Sequence, residues 1–461
     1  MSQTLPIPIA SGFALSHLLQ FKNRRLDWQM RLMNEHGPIC RVRLGPVSVI
    51  LVSSADYAQT ILVERAAEFV KGRGLQFTRP LLGNGLLTSE KAFHKRQRRL
   101  ISPGFQHRRV ATYADTMASY CESAQASFRD GETLDVADAM MKLTLAIAGK
   151  TMFDADLAGE ESELGRALTV ANKHAIGQIA AALPIPLHWP WPGNGKVRKA
   201  IARLDETVYR MIGKRRKSGD DPGDVLSMLL GAEEEGTGEK MSDVEVRDEA
   251  MTLFLAGHET TANALAWTFY LLSRHPDCYE RLRAEVDGAL GGRTPTMNDL
   301  PRLPYTMRVF KEAMRLYPPA YIIGREAERE IAVGSHIIPP NVQIFVNIFG
   351  MHRNPSYFPN PEQFDPDRFQ PEAEKQMVRS SYMPFSNGPR VCIGNQFALL
   401  EGHIVLAALA SRVTFEATSD GVIEPEPLIT LRPRGGVSLR VRRRSSVPES
   451  RRPGLLRAAA N

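Results

Sequence analysis

The sequence predicts a mainly α fold with small β-sheets (α+β) in a single large domain, on three observations. Apolar residues recur at three-to-four spacing, without internal Pro, over Asp135–Thr151, Lys196–Lys217, Val244–Arg274, Pro276–Leu290 and Asn395–Val413. Strand-like runs are confined to Ile39–Val52, Ile331–Phe349 and Val437–Val441, so any sheet is small and assembled from distant parts of the chain. The 461 residues contain no internal repeat and no interdomain linker, Ser218–Asp224 reading as a loop before another short helix. With 43% hydrophobic and 24% charged residues, 35 Gly and 31 Pro, collagen-like, coiled-coil and largely disordered classes are excluded. Residues 1–36 read as an N-terminal lead segment, 37–441 as the folded domain and 442–461 as a basic, disordered tail.

Taken from the N-terminus, Met1–Phe21 lacks charge but has no basic start, carries Pro6 and Pro8, and includes Gln3, Ser11, Ser16, His17 and Gln20, which argues against a signal peptide or anchor. Ala175–Gly195 is also uncharged. Pro184, Pro186, Pro190 and Pro192 would break a spanning helix there, leaving an interhelical loop or, in a second reading, a patch touching a membrane. The net charge of +7 resides mostly at the C-terminal end: Arg440 to Asn461 holds seven Arg and one Glu, the body is near neutral, and nucleic-acid binding is not expected.

The four cysteines, Cys40, Cys121, Cys278 and Cys392, form no C-x-x-C pair, which excludes a disulfide scaffold or zinc ribbon and fits a reducing cytoplasm. A soluble, cytoplasmic monomer without stable membrane insertion is expected.

The helix Val244–Arg274 is almost wholly apolar from Met251 on, except for Gly257, His258, Glu259, Thr260 and Thr261. A carboxylate in such a helix needs a reason: either a polar notch at a functional site, or threonines bonding back to carbonyls and kinking the helix while Glu259 reaches the surface. The zinc motif H-E-x-x-H is excluded because Ala262 stands where the second His belongs.

Near the C-terminus runs Phe385-Ser386-Asn387-Gly388-Pro389-Arg390-Val391-Cys392-Ile393-Gly394, followed by a helix. Two glycines permit close backbone approach, while Arg390 and the helix N-terminus favour a thiolate, so Cys392 is set as a ligand or a nucleophile. The segment resembles the F-x-x-G-x-R-x-C-x-G loop of the cytochrome P-450 family of haem-thiolate monooxygenases at every fixed position. Three further motifs occur in the family's order: A-G-x-E-T-T at Ala256–Thr261, E-x-x-R at Glu312 and Arg315 with Arg368 in Pro366-Asp367-Arg368-Phe369, and His94-Lys95-Arg96-Gln97-Arg98.

The resemblance implies a single-domain fold with a long central helix over haem b, Cys392 as the axial iron ligand, and Phe385 and Gly394 beside it. It implies proton delivery by Glu259 and Thr260, and propionate contacts from His94, Arg98, Arg325 and Arg390. Glu312, Arg315 and Arg368 would form a structural cluster, and His352 and His403 have no assigned role. The substrate pocket would be lined by Leu86, Leu87, Ala256, Gly257, Ala320, Tyr321, Ile322 and Ile323, suiting a fatty acid, terpenoid, steroid or polyketide-like molecule. A thiolate ligand pushes electron density onto iron and favours O–O cleavage. Electrons derived from NAD(P)H would come through a separate ferredoxin or flavodoxin and its reductase, with Arg96 and Arg99 attracting the acidic partner. A haem sensor or carrier without turnover, and a relative that uses peroxide, remain as alternatives, with a cysteine-nucleophile hydrolase last.

Overall fold

The computed structural model describes residues 5–155, 161–179 and 185–444. The five long helical patterns appear as Val136–Phe153, Asn194–Ser218, Asp243–Arg274, Pro276–Leu290 and Asn395–Arg412. Their ends follow local chemistry. Ser242 and Glu245 form a reciprocal capping box at the start of the central helix, Asp243–Arg274. Pro276 opens the next helix, where a missing N–H is harmless, and Gly291 closes it in a left-handed conformation.

The central helix has 32 residues, which at 1.5 Å each makes it about 48 Å long. From Val246 to Leu272 every residue is buried except Ala256, Gly257 and Thr260. Val136–Phe153 packs along it: the Thr144 hydroxyl donates to the His258 carbonyl at 3.1 Å, and a Cβ at Gly257 would press on Met152. Further along, Trp267 stacks on Tyr317 with ring centres 3.8 Å apart, and its Nε1 donates to the Leu431 carbonyl at 3.0 Å.

The largest sheet has five strands, Ile39–Leu44, Val47–Val52, Gln343–Val346, Ile323–Ala327 and Phe69–Lys71, hydrogen-bonded in that order. Within it, only the pair Val47–Val52 and Gln343–Val346 is parallel. The run Ile331–Phe349 is therefore not one strand. It divides into Ile331–Val333, His336–Ile338 and Gln343–Val346, with the turn at Gly334 in a left-handed conformation, and ends in a helical turn at Ile348–Met351. The lead segment is part of the fold, since Phe21, Trp28 and Leu32 pack on Val42, Val49 and Leu51 of the sheet. The expected tail boundary also moves. Arg442 and Arg443 lie in the strand Ser438–Arg443, and Arg444 pairs with Asp287 at 2.5 Å. Backbone pairing thus extends through residues expected to be frayed, and residues 445–461 lie outside the described residues. Of the uncharged segment 175–195, residues 175–179 end a helix, 185–193 form a loop, and 180–184 lie outside the described residues.

Beneath the cysteine loop, Glu312 and Arg315 on the helix Pro304–Leu316 are completely buried and doubly bonded, at 2.7 and 2.9 Å. The Arg368 Nε lies 3.4 Å from Glu312, and the Asp365 amide donates to the same carboxylate at 2.9 Å. Arg315 also donates to the carbonyls of His352, Pro361 and Gln363. His352 Nε2 accepts from the Met383 amide at 2.9 Å, leaving Nδ1–H to donate to the Arg315 carbonyl. That pairing requires the neutral ring, and burial holds its pKa down at about 3. His403 is likewise structural, its Nε2 donating to the Leu303 carbonyl.

Removing one member of such a pair strands the other. Glu312→Ala is expected to cost about 3–5 kcal/mol in denaturant unfolding, because Arg315 stays charged in the core. Arg368→Ala is expected to cost less than half as much; equal losses would show that the cluster is not centred on Glu312.

Candidate active site around Cys392

The cysteine loop is shaped by two left-handed residues, Ser386 and Gly388. At Gly388 a Cβ would run into the Leu62 carbonyl, so only glycine lets the loop lie against that backbone. The Asn387 side chain accepts from the Gly388 amide at 2.9 Å. The Cys392 amide then donates to the Phe385 carbonyl at 3.0 Å, and Gly394 is the N-cap of Asn395–Arg412. The Gly394 N–H points at the sulfur.

Cys392 is accessible whereas Cys40, Cys121 and Cys278 are buried. Yet desolvation by surrounding protein pushes its thiol pKa up, against the Gly394 amide and Arg98. Accessible surface within an enclosing shell places the sulfur on an internal hollow. The expected bias toward thiolate is thus outweighed by burial, and the cation acting on the sulfur is Arg98, not Arg390. Ala256, Gly257 and Thr260, spaced to share one helical face, are the accessible breaks in the otherwise buried central helix. The Thr260 hydroxyl donates to the Ala256 carbonyl at 2.9 Å, the backward bond foreseen for a threonine here. Thr261 is instead buried near Glu401, on the helix that follows the cysteine loop, and burial pushes the Glu401 carboxyl well above its ordinary range.

Positive charge gathers at one side. His94 and Arg98 lie on Lys91–Ile101, and Lys71, Arg390, Arg98 and Arg325 all act on His94, which burial first and these cations next hold down at about 3. Arg98 donates to the Val391 carbonyl at 2.8 Å, and Arg325 to the Gly324 carbonyl at 2.9 Å. Burial and Arg390 lower Arg325 to about 10. Arg390 braces the loop, donating to Glu90 at 2.8 Å and to the carbonyls of Phe69 and Ala66.

Glu259 and Tyr321 have other partners. Glu259 is buried but bonds Thr430 and Arg432, the latter at 2.8 Å, and so neither reaches the surface nor faces Thr260's side. Tyr321 packs with Leu26, Phe349 and Leu431 and donates to the Leu428 carbonyl at 2.8 Å, because its hydroxyl has a polar partner there. Leu87, Ala320, Ile322 and Ile323 are half-buried. Arg96 and Arg99 are paired with Glu234, and Arg96 also with Glu245, which spends the charge expected to attract a partner.

Sequence reasoning missed Lys71 and Glu249. Lys71 Nζ donates to the carbonyls of Leu86 and Ser89 at 2.8 and 2.6 Å, while Glu249 accepts from the Leu86 amide at 2.8 Å. Both polar ends of Leu86 are therefore held. Burial raises Glu249 to about 8 and lowers Lys71 to about 7. The available signal was a carboxylate on the approach to the apolar stretch of the central helix.

The donor set fits a haem: an accessible thiol enclosed by protein for iron, an accessible stretch of small residues on the central helix, and a cluster of Arg98, Arg325 and His94 to which two propionates would bring the negative charge. The family model described as cytochrome P-450 matches residues 6–439. Cyclooctatin synthase of Streptomyces melanosporofaciens is 39% identical, over 86% of this chain and 87% of its own. Cyclooctat-9-en-7-ol 5-monooxygenase of the same organism is 37% identical, over 86% of each. Pentalenene oxygenase of Streptomyces avermitilis is 30% identical, over 90% of this chain and 92% of its own. The crystal structure of the cytochrome P-450DA haem domain superposes with a TM-score of 0.89 at 28% identity, covering 96% of this chain and 98% of that one.

Glu249→Leu is expected to raise hydrogen exchange across residues 84–89 by about tenfold, since a buried amide loses its acceptor. Glu249→Gln keeps an acceptor and is expected to stay within about twofold of the parent; identical exchange in all three proteins would contradict the clamp.

Proposed function

The chain belongs to the cytochrome P-450 family, and on that premise we propose that it inserts one oxygen atom from O2 into a polycyclic terpenoid, with electrons from a separate protein. The observations that support the chemistry are the accessible Cys392 thiol enclosed by protein and the accessible break at Ala256, Gly257 and Thr260 in the otherwise buried central helix. Terpenoid is favoured over fatty acid, steroid or polyketide because the relatives are named for cyclooctatin and pentalenene.

Bound haem supplies dioxygen activation through a thiolate-ligated iron. Cys392 Sγ loses its proton to become the ligand, and the Gly394 amide and the positive end of Asn395–Arg412 stabilise the resulting charge. His94, Arg98 and Arg325 would hold the propionates. The Thr260 hydroxyl has spent its one hydrogen on Ala256, so toward the hollow it acts as an acceptor that orients water. Glu259 serves as proton source only by leaving Arg432 and Thr430, so its turn away from that pair accompanies delivery. Leu86, held by Lys71 and Glu249, forms a fixed part of the apolar wall. Electrons from NAD(P)H reach the enzyme through a ferredoxin or flavodoxin and its reductase. With Arg96 and Arg99 neutralised, exposed Lys95 is the cation of that helix left for an acidic partner.

Turnover of a cyclic terpene with surrogate ferredoxin and reductase under isotopically labelled dioxygen is expected to place a single labelled oxygen in the product. Thr260→Ala should keep NAD(P)H consumption while cutting product per NAD(P)H by about tenfold, less than the roughly hundredfold or more of a lost proton-transfer group because Thr260 orients water and does not itself carry the proton. Product without label, or unchanged coupling in Thr260→Ala, would contradict the proposal.

A further inference from the structure

A cleft of about 530 Å³ lies between the helix Lys91–Ile101, the turn Ser102–Phe105 and the helix Val225–Gly231, a volume in the range of small-molecule sites. No residue given a role at haem, substrate or proton transfer lines it. Its floor is apolar, with Leu100, Pro103 and Met228. One side carries the half-buried Arg109 guanidinium, which lies over left-handed Gly223, where a Cβ would collide with it.

Arg109 has no carboxylate salt bridge among the described residues, whereas the neighbouring Arg99 is paired with Glu234 at 2.6 Å and Glu233 with Lys240 at 3.1 Å. Asp221 and Glu235 stand exposed on the lining, Asp221 accepting from the Gly223 amide at 2.8 Å. A half-buried cation beside an apolar floor calls for a monoanion with an apolar body, and the two carboxylates disfavour polyanions such as phosphates.

The same elements touch the cysteine loop. At Gly104 a Cβ would press on Met228 Sδ, and Phe105 of the same turn lies against Gly394, whose amide points at the Cys392 sulfur. Arg109 also acts on the Tyr113 hydroxyl, and the Tyr113 ring meets Phe397, on the helix that follows the loop, with centres 6.0 Å apart.

We propose that this cleft is an effector site for a small amphipathic carboxylate, its anionic end on Arg109 and its apolar body on Leu100, Pro103 and Met228. Occupancy steadies the turn Ser102–Phe105 against Gly394, and with it the backbone that presents Cys392. The site goes beyond the monooxygenase reading, since binding requires neither substrate nor turnover.

Octanoate is the probe, titrated calorimetrically into the haem-loaded protein with phenylimidazole filling the hollow, so that the substrate pocket takes none of it. Octanoate is expected to bind at one site, and acetate and octanamide about tenfold more weakly, because one lacks the body and the other the charge. Arg109→Gln is expected to lose about tenfold in affinity. Gly231→Leu, whose added atoms meet open space on the cleft lining and not packed protein, is expected to abolish binding with haem content unchanged. Hydrogen exchange at residues 102–105 and 392–397 is expected to slow by about twofold with octanoate bound. No binding by the parent, binding that neither substitution weakens, or exchange unaltered on binding overturns the proposal. So does slower reduction by ferredoxin in Arg109→Gln with no octanoate bound to the parent, which assigns this cation to the redox partner.

Discussion

Positive charge concentrated on an internal hollow is the constraint around which the rest of the molecule is arranged. Lys71, Arg98, Arg325 and Arg390 all act on the buried His94, and among the described residues only Arg390 has a carboxylate salt bridge there, with Glu90. Like charges brought together out of water repel, and the arrangement persists because each is tied to rigid backbone: Arg98 to the Val391 carbonyl, Arg325 to a central strand, Lys71 to the loop it clamps. Two propionates bound among these groups would relieve that repulsion.

The cysteine loop meets this charge from below. Its shape depends on Gly388 lying against the Leu62 carbonyl, and its approach segment depends on His352, which joins Met383 to Arg315. The Glu312–Arg315–Arg368 cluster is thus distant from the chemistry but fixes the backbone that presents Cys392. Between Val246 and Leu272 the central helix is accessible only at Ala256, Gly257 and Thr260, so what it exposes there is small groups and one hydroxyl.

Helix extents were legible because burial of one stripe imposes a period on about fifteen to thirty residues, and caps such as Ser242 and Pro276 mark their ends. The cysteine loop was legible because its glycines answer to backbone geometry. The strands Phe69–Lys71 and Ile323–Ala327 were not, being short, partly charged and paired with each other across the chain. The partners of Arg390 and Glu259 were not legible for a related reason: Glu90 and Arg432 are remote in sequence and announce no spacing. Local pattern shows that a charge is buried, but its partner is a property of the tertiary fold.

The ligation of iron by Cys392 is tested most directly by the carbon monoxide difference spectrum of the dithionite-reduced protein, beside that of Cys392→Ala. A thiolate ligand gives the long-wavelength Soret band in the parent and none in the variant. A protein without haem, or a short-wavelength band that survives Cys392→Ala, would contradict the placement of the cofactor on this hollow.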